Sequence, residues 1–327
     1  MSKVILHIGT HKTATTTIQD MFWTNADLLA EQGVIYPRLP NYTGHHGMVV
    51  NWPGMPKFYA LEQGSLEALR AVAEAHADSD RTVFLSSEEF SRSNPLSSLS
   101  EVREALSGFD EIEVICVLRT QWQFLQSIYL EVSKSRVPPR PPEFVLPVIE
   151  SGICEGLWID YNRLLDALEQ VFAPGEIRLY DFDQCRKAEG GILGVMLRHL
   201  GVDIAPDQME VVNEGVSNVS PLSLASWSAN ILSEPRVAKR ELIEQATEAL
   251  KAEFGAGVKP CLFTREEFRA LKEHFDASND RLAERRAAVQ PGFALSEASR
   301  DGLSLFRNEL PSAYWVRMCR RLVEQTY

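Results

Sequence analysis

Cysteine is scarce in this chain and scattered. The five are Cys116, Cys154, Cys185, Cys261 and Cys319. Their number is odd and no two lie close together, which excludes a disulfide framework or a cysteine-based zinc site as the organising principle. Reduced, mostly buried thiols are expected. Long apolar runs are missing as well, and no stretch approaches the ~20 residues needed to span a bilayer. Lys3 leads straight into the first apolar segment, so no secretory leader is read there. A cytoplasmic protein is the expectation. Positive charge is in deficit: 33 Lys and Arg face 45 Asp and Glu, for a formal charge of −12. That balance argues against a nucleic-acid partner, which requires a basic face, and against a long polyanionic acceptor. A local basic cleft is compatible with an acidic exterior. Repeats and low-complexity tails are also absent.

What remains is the composition of a soluble globular protein: 327 residues, 45% hydrophobic and 24% charged. Four apolar runs read as buried strands: residues 3–9, Arg81–Ser86, Glu113–Leu118 and Glu176–Tyr180. Helical periodicity lies between them, over 15–31, 65–77, 121–135, 143–150, 160–171 and 190–200. In the first helix Ile18, Met21, Phe22, Asn25, Leu28 and Leu29 mark an inward stripe. Capping boxes open helices at Ser98–Glu101 and Thr264–Glu267, and Gly201 is placed to close one. Residues 37–64 and 137–142 read as loop. Beyond residue 220 only helices are read, over 221–232, 236–254, 264–286 and 312–327. The alternation predicts an α/β fold, a parallel sheet flanked by helices. It divides the chain into a core over 1–215 and a helical extension over 216–327.

In such sheets ligands sit at the carboxyl ends of the strands. Four polar features follow directly after strands: Gly9–Thr17, Ser86–Glu89, Arg119 and Tyr180–Asp183. The first is the most informative. A strand, a short loop with Lys12 and Thr13, and a helix opening on Thr15, Thr16 and Thr17 surround one point with backbone N–H groups, a helix dipole, a cation and hydroxyls. That combination suits a phosphate or sulfate. The pattern departs from the nucleoside-triphosphate loop, which runs Gly, four residues, then Gly-Lys-Ser/Thr. The third strand ends in Arg119 rather than a magnesium-binding acid, so a kinase or NTPase lacks its metal ligand.

His11-Lys12-Thr13-Ala14-Thr15-Thr16-Thr17 between strand and helix resembles the phosphosulfate loop of the sulfotransferases. Those enzymes use 3′-phosphoadenosine 5′-phosphosulfate (PAPS), and their loop usually reads Lys-Ser/Thr-Gly-Thr-Thr. Val117-Leu118-Arg119, with Ser127 eight residues after the arginine, resembles the second motif of the family. The resemblance spans about residues 1–200. It implies a nucleotide-binding fold of the P-loop type and PAPS as co-substrate, with no metal. It implies that His11, Lys12, Thr13, Ala14, Thr15, Thr16 and Thr17 hold the phosphosulfate, and that Arg119 and Ser127 hold the 3′-phosphate. Lys12 is expected to stabilise the charge growing on the bridging oxygen. Glu88 is expected to take the acceptor's proton, with Glu89 turned away or holding the loop. The acceptor is a small molecule, lipid or saccharide with a hydroxyl or amine. A P-loop kinase or NTPase, or a non-catalytic nucleotide-binding protein of the same fold, is the alternative.

Ala14 stands where the family usually has Gly. A helical conformation there would make the alanine harmless. His45 and His46 are expected as ordinary loop histidines, Tyr180 as a core tyrosine, and Trp52, Phe58 and Tyr59 as loop aromatics that could wall an acceptor. Asn213, Ser217 and Asn218 are lesser candidates near the nucleotide.

Overall fold

Apolar side chains buried on both faces make the strands of the sheet. In Lys3–His7 (β1), Val4, Ile5 and Leu6 are buried to within 1% of completely, the pattern of a parallel strand covered by helices on either side. The computed structural model describes residues 1–40, 42–212, 220–300 and 302–324. Its chain forms two compact units by Cα proximity, each described separately below. The first comprises 1–120, 155–217 and 277–296; the second comprises 121–154, 218–276 and 297–327. Residues 121–154, counted with the core in the sequence reading, cluster with the second unit. A boundary drawn once along the chain does not register such returns.

The first unit carries a five-stranded, fully parallel sheet. Besides β1 it contains Val34–Ile35 (β2), Thr82–Ser86 (β3), Glu111–Leu118 (β4) and Ile177–Asp181 (β5), in the order β2-β3-β1-β4-β5. Ile5 pairs with Phe84 on one side and Glu113 on the other, and Val117 pairs with Tyr180. β1 is therefore central. The chain leaves it for the β3 side and returns on the β4 side, which makes the carboxyl end of β1 the topological switch point. Strand β2, two residues at the edge, is too short to show a pattern in sequence.

The predicted helix 15–31 is two helices, Thr15–Thr24 (α1) and Ala26–Glu31 (α2), broken at Asn25. Its amide donates to Met21 O at 2.8 Å and Glu210 O at 3.0 Å, and its Oδ1 accepts from Glu210 N at 2.8 Å. The side chain competes with the helix for backbone partners and ties down a distant segment. Ile18, Met21 and Phe22 pack with Ile5, Phe84, Ile115 and Val117 of the sheet and with Met196 and Leu197 of the helix Gly191–His199. Gly201 has φ 68°, and its neighbour Val202 N–H returns to Leu197 O at 3.0 Å, a helix stop of the kind expected. Ser98 does not cap. It has φ −106°, ψ 13° and makes no side-chain cap bond, because the chain before it is already turning and the extended geometry a cap needs is absent.

The second unit is mainly helical: Gln121–Val132, Pro141–Ser151, Ser223–Ser233, Arg240–Phe254 and Ser312–Glu324. Leu224, Ala225, Ala246, Leu250, Tyr314 and Met318 form its core. The helix Arg265–Arg286 is shared between the units. Its capping box is reciprocal: Glu267 N donates to Thr264 Oγ1 at 3.1 Å, and Thr264 N to Glu267 Oε2 at 2.9 Å. The expectation of helix alone past residue 220 is corrected by a parallel pair, Pro260–Cys261 with Leu305–Phe306. Two residues a side leave no periodicity to read. Among the described residues no helix is long and apolar enough to cross a membrane.

Candidate functional site

The loop leaving β1 is pinned by its neighbour β4. Ile8 N donates to Ile115 O at 2.9 Å, Thr10 N to Val117 O at 2.7 Å, and Thr10 Oγ1 to Val117 O at 3.1 Å. Thr13 turns its hydroxyl inward, to Thr10 O at 2.5 Å. It is a loop fastener here rather than an outward hydroxyl. Arg119, one residue past β4, donates through its guanidinium to Lys12 O at 3.0 Å. Its guanidinium also lies 5.4 Å from the Phe182 ring. Burial pulls the Arg119 pKa down while Asp183 opposes the shift. Tyr161 OH donates to Arg119 O at 2.5 Å. So Arg119 reaches the backbone of the loop that carries Lys12. Ser127 falls on Gln121–Val132 of the second unit.

The start of α1 is open chemically. Ala14 stands at the N-cap with no side-chain cap bond, and no acidic residue lies in the first turn. The first N–H groups, of Thr15, Thr16 and Thr17, therefore receive no capping oxygen from the residue at the N-cap, and no carboxylate of the helix's own first turn offsets the dipole. Ala14 itself is left-handed, φ 63° and ψ 27°, and Lys12 has φ 62°. The helical conformation expected for Ala14 is thus not adopted. The loop needs two left-handed turns to bring its N–H groups round, and an alanine occupies one of them at a steric cost.

The turn after β3 closes the site's other side. Glu88 accepts from Gln19 Nε2 at 2.9 Å. Burial pushes its carboxyl up, but the charges of His11 and His46 and the Gln19 bond outweigh it, holding the group below the usual carboxylate range. Glu89 Oε1 meets His11 Nε2 at 3.1 Å, and its Oε2 accepts from Arg92. Glu89 thus holds the loop, the second of the two roles expected for it.

Sequence reasoning missed how much the 37–64 segment adds. His45 N donates to Ser86 O at 2.8 Å, Ser86 N donates to His45 Nδ1 at 2.9 Å, and His45 Nε2 donates to Pro37 O at 2.8 Å. His45 is a neutral structural rivet, its pKa lowered by burial to about 4. His7, bonded through Nδ1 to Ser86 Oγ at 2.8 Å, is lowered to about 4 for the same reason. His46 Nδ1 is 2.8 Å from Ser87 Oγ. Beyond it the rings of Tyr42, Trp52, Phe58 and Tyr59 gather, with Tyr42 and Tyr59 centroids 4.4 Å apart and Phe58 56% exposed. Burial raises the Tyr59 phenol, and Glu88 and Glu89 add to the shift, which places this cluster within the field of the two carboxylates. The His-His pair and the aromatics Trp52, Phe58 and Tyr59 in a long polar loop were the signals of this in the sequence. Tyr180 faces away, bonding His199 Nδ1 at 2.7 Å. Asn213, Ser217 and Asn218 lie outside the described residues.

Around one point, then, stand a cation, a ring of backbone donors, an arginine bracing them and two ionised carboxylates. This arrangement suits binding an anionic group and moving it to an acceptor whose proton a carboxylate receives. No protein-family model matches the chain, and no curated protein matches it. Solved structures similar to it include three sulfotransferases. One is a sulfotransferase from Alicyclobacillus acidocaldarius, 13% identical, covering 64% of this chain and 86% of that one with a TM-score of 0.42. A mouse sulfotransferase complexed with PAP is 10% identical, covering 88% and 87% with a TM-score of 0.43. The sulfotransferase domain of an olefin synthase from Synechococcus PCC 7002 is 11% identical, covering 75% and 92% with a TM-score of 0.34.

Proposed function

We propose that this chain transfers a sulfuryl group from PAPS to a hydroxyl or amine of a small-molecule, lipid or saccharide acceptor. The observation that carries the reading is the uncapped start of α1 beside Lys12, with Arg119 bonded to the Lys12 carbonyl at 3.0 Å. Such a cradle suits the phosphosulfate end of PAPS, because its donors are fixed before the anion arrives. Thr15, Thr16 and Thr17 supply N–H groups, and His11, Thr13 and Ala14 complete the loop. In the reaction the sulfur gains a bond to the acceptor oxygen or nitrogen and loses its bond to the phosphate oxygen. Lys12 stabilises the charge that collects on that departing oxygen. Glu88 receives the acceptor's proton, and adenosine 3′,5′-bisphosphate leaves. Arg119 takes the 3′-phosphate; the planar guanidinium suits that group.

The test is thermal unfolding with adenosine 3′,5′-bisphosphate, ADP and ATP. A ligand at 100 times its dissociation constant adds about 2.7 kcal/mol. Stabilisation by the 3′-phosphorylated nucleotide over ADP, reduced in Arg119→Ala, is the expected outcome. Equal stabilisation by ADP, or magnesium-dependent preference for ATP, overturns the reading in favour of an NTPase.

A further inference from the structure

Glu89 is fixed from several directions. Its Oε1 meets His11 Nε2 at 3.1 Å and its Oε2 accepts from Arg92 Nε. Its own N–H donates to Ser87 Oγ at 3.3 Å. Arg92 in turn donates to Glu155 O at 3.3 Å. Side-chain exposures of 12% for Glu89 and 14% for His11 leave both little room to move. The imidazole of His11 is therefore aimed by its partner, with one ring nitrogen engaged. The other, Nδ1, is buried and meets no hydrogen-bond partner among the described residues. An unmatched buried polar atom costs on the order of 1–3 kcal/mol. This one sits in the middle of the loop that precedes α1.

The surroundings indicate which ligand supplies the missing bond. Lys12 follows on the same loop, and Arg119 bonds its carbonyl from the end of β4. Glu88, Glu89 and Arg92 face His11 from the turn after β3, and the His11 charge lowers both carboxyls. His46 and Tyr59 approach the same carboxylates from the 37–64 segment. An imidazole with hydrogen on both nitrogens is a donor at each.

We propose that the His11 side chain is a ligand of the anion held in this loop, with Nε2–H donating to Glu89 and Nδ1–H donating to an anionic oxygen. Glu89 and Arg92 are positioning residues, which act on the anion through His11. The proposal rests on the reading of the loop as an anion site and deepens it. It adds a second side-chain cation to Lys12 and makes anion capture depend on pH, because the ring loses one donor on deprotonation.

The experiment is calorimetric titration of the full chain with inorganic sulfate across roughly pH 5.5–8.5. Sulfate keeps both charges over this range, so any trend belongs to the protein. In the wild type, affinity falls about tenfold or more as pH rises, the size of one charge-assisted bond. His11→Gln keeps an amide beside Glu89 and removes the Nδ1 donor; it binds sulfate weakly at every pH. His11→Asn sets an amide nitrogen near the Nδ1 position and restores affinity without the pH trend. Glu89→Gln moves the fall in affinity to lower pH, an effect that simple loosening of the loop does not produce. This variant carries the test if His11→Gln fails to fold. Wild-type affinity that is flat with pH, or sulfate binding unchanged in His11→Gln, overturns the proposal. A pH trend that follows His11 while adenosine 3′,5′-bisphosphate fails to bind keeps the anion site and removes PAPS as its ligand.

Discussion

At the scale of single residues, the contact between Gly9 and Glu88 sets the site's geometry. Gly9 has φ +84°, and a Cβ there would lie 2.8 Å from Glu88 Cβ and 3.0 Å from its Cα. Any side chain at position 9 would push the turn after β3 away from the loop after β1. Glu88 is held ionised by His11, His46 and Gln19 against its own burial, the state required to accept a proton. Glu88→Gln keeps the shape and a partner for Gln19 but cannot accept that proton. Turnover with PAPS should fall about 10²–10⁴-fold, while PAPS binding, read by calorimetry, stays within a few-fold of wild type. Full activity in the variant would assign the proton to another group. Lys12, Arg119 and Glu88 were legible in sequence because each follows a strand. Gln19 and His46 were not, since α1 and a distant loop deliver them.

At the scale of elements, the strands were legible and the breaks between helices were not. Val4–Leu6 and Val114–Leu118 announce themselves by unbroken apolar character, as strands covered on both faces must. Val34–Ile35, Pro260–Cys261 and Leu305–Phe306 are shorter than any period. Asn25 splits one helical pattern in two through bonds to Glu210, a partner 185 residues away that no local pattern encodes. The start of α1 shows the same limit. Alanine's helix propensity suggested an ordinary first turn, yet the loop forces Ala14 to φ 63°. A left-handed alanine costs about 1–2 kcal/mol, and glycine there would restore about 0.4–1 kcal/mol of unfolded-chain entropy as a counterweight. Ala14→Gly should therefore stabilise the chain by about 0.5–1 kcal/mol in denaturant unfolding. A loss of stability would mean that the Ala14 methyl, which packs against the α1 core, outweighs the strain.

At the scale of the whole molecule, the groups whose pKa values lie furthest below their ordinary ranges act on stability in one direction. His7 and His45 are buried and lowered to about 4. Glu113 is lowered to about 2: burial opposes the shift, but bonds to His199 at 3.0 Å and Lys3 at 2.7 Å outweigh it. For each group the unfolded chain binds the proton at higher pH than the folded one, so stability rises with pH across the gap. The two histidines act between about pH 6.5 and 4, the interval from the unfolded imidazole to its buried value. Glu113 acts below that, from about pH 4.5 to 2. Each histidine contributes on the order of 2–3 kcal/mol at neutral pH that is lost on acidification. Against a typical total of about 5–15 kcal/mol, the pair alone removes a large share. Denaturant unfolding measured from pH 8 downward should show stability level above pH ~7 and then falling, with a limiting slope that approaches two protons taken up per chain near pH 5. Glu113 would extend the decline toward pH 2. A curve that stays level to pH 4.5 would mean that His7 and His45 take up their protons in the folded chain.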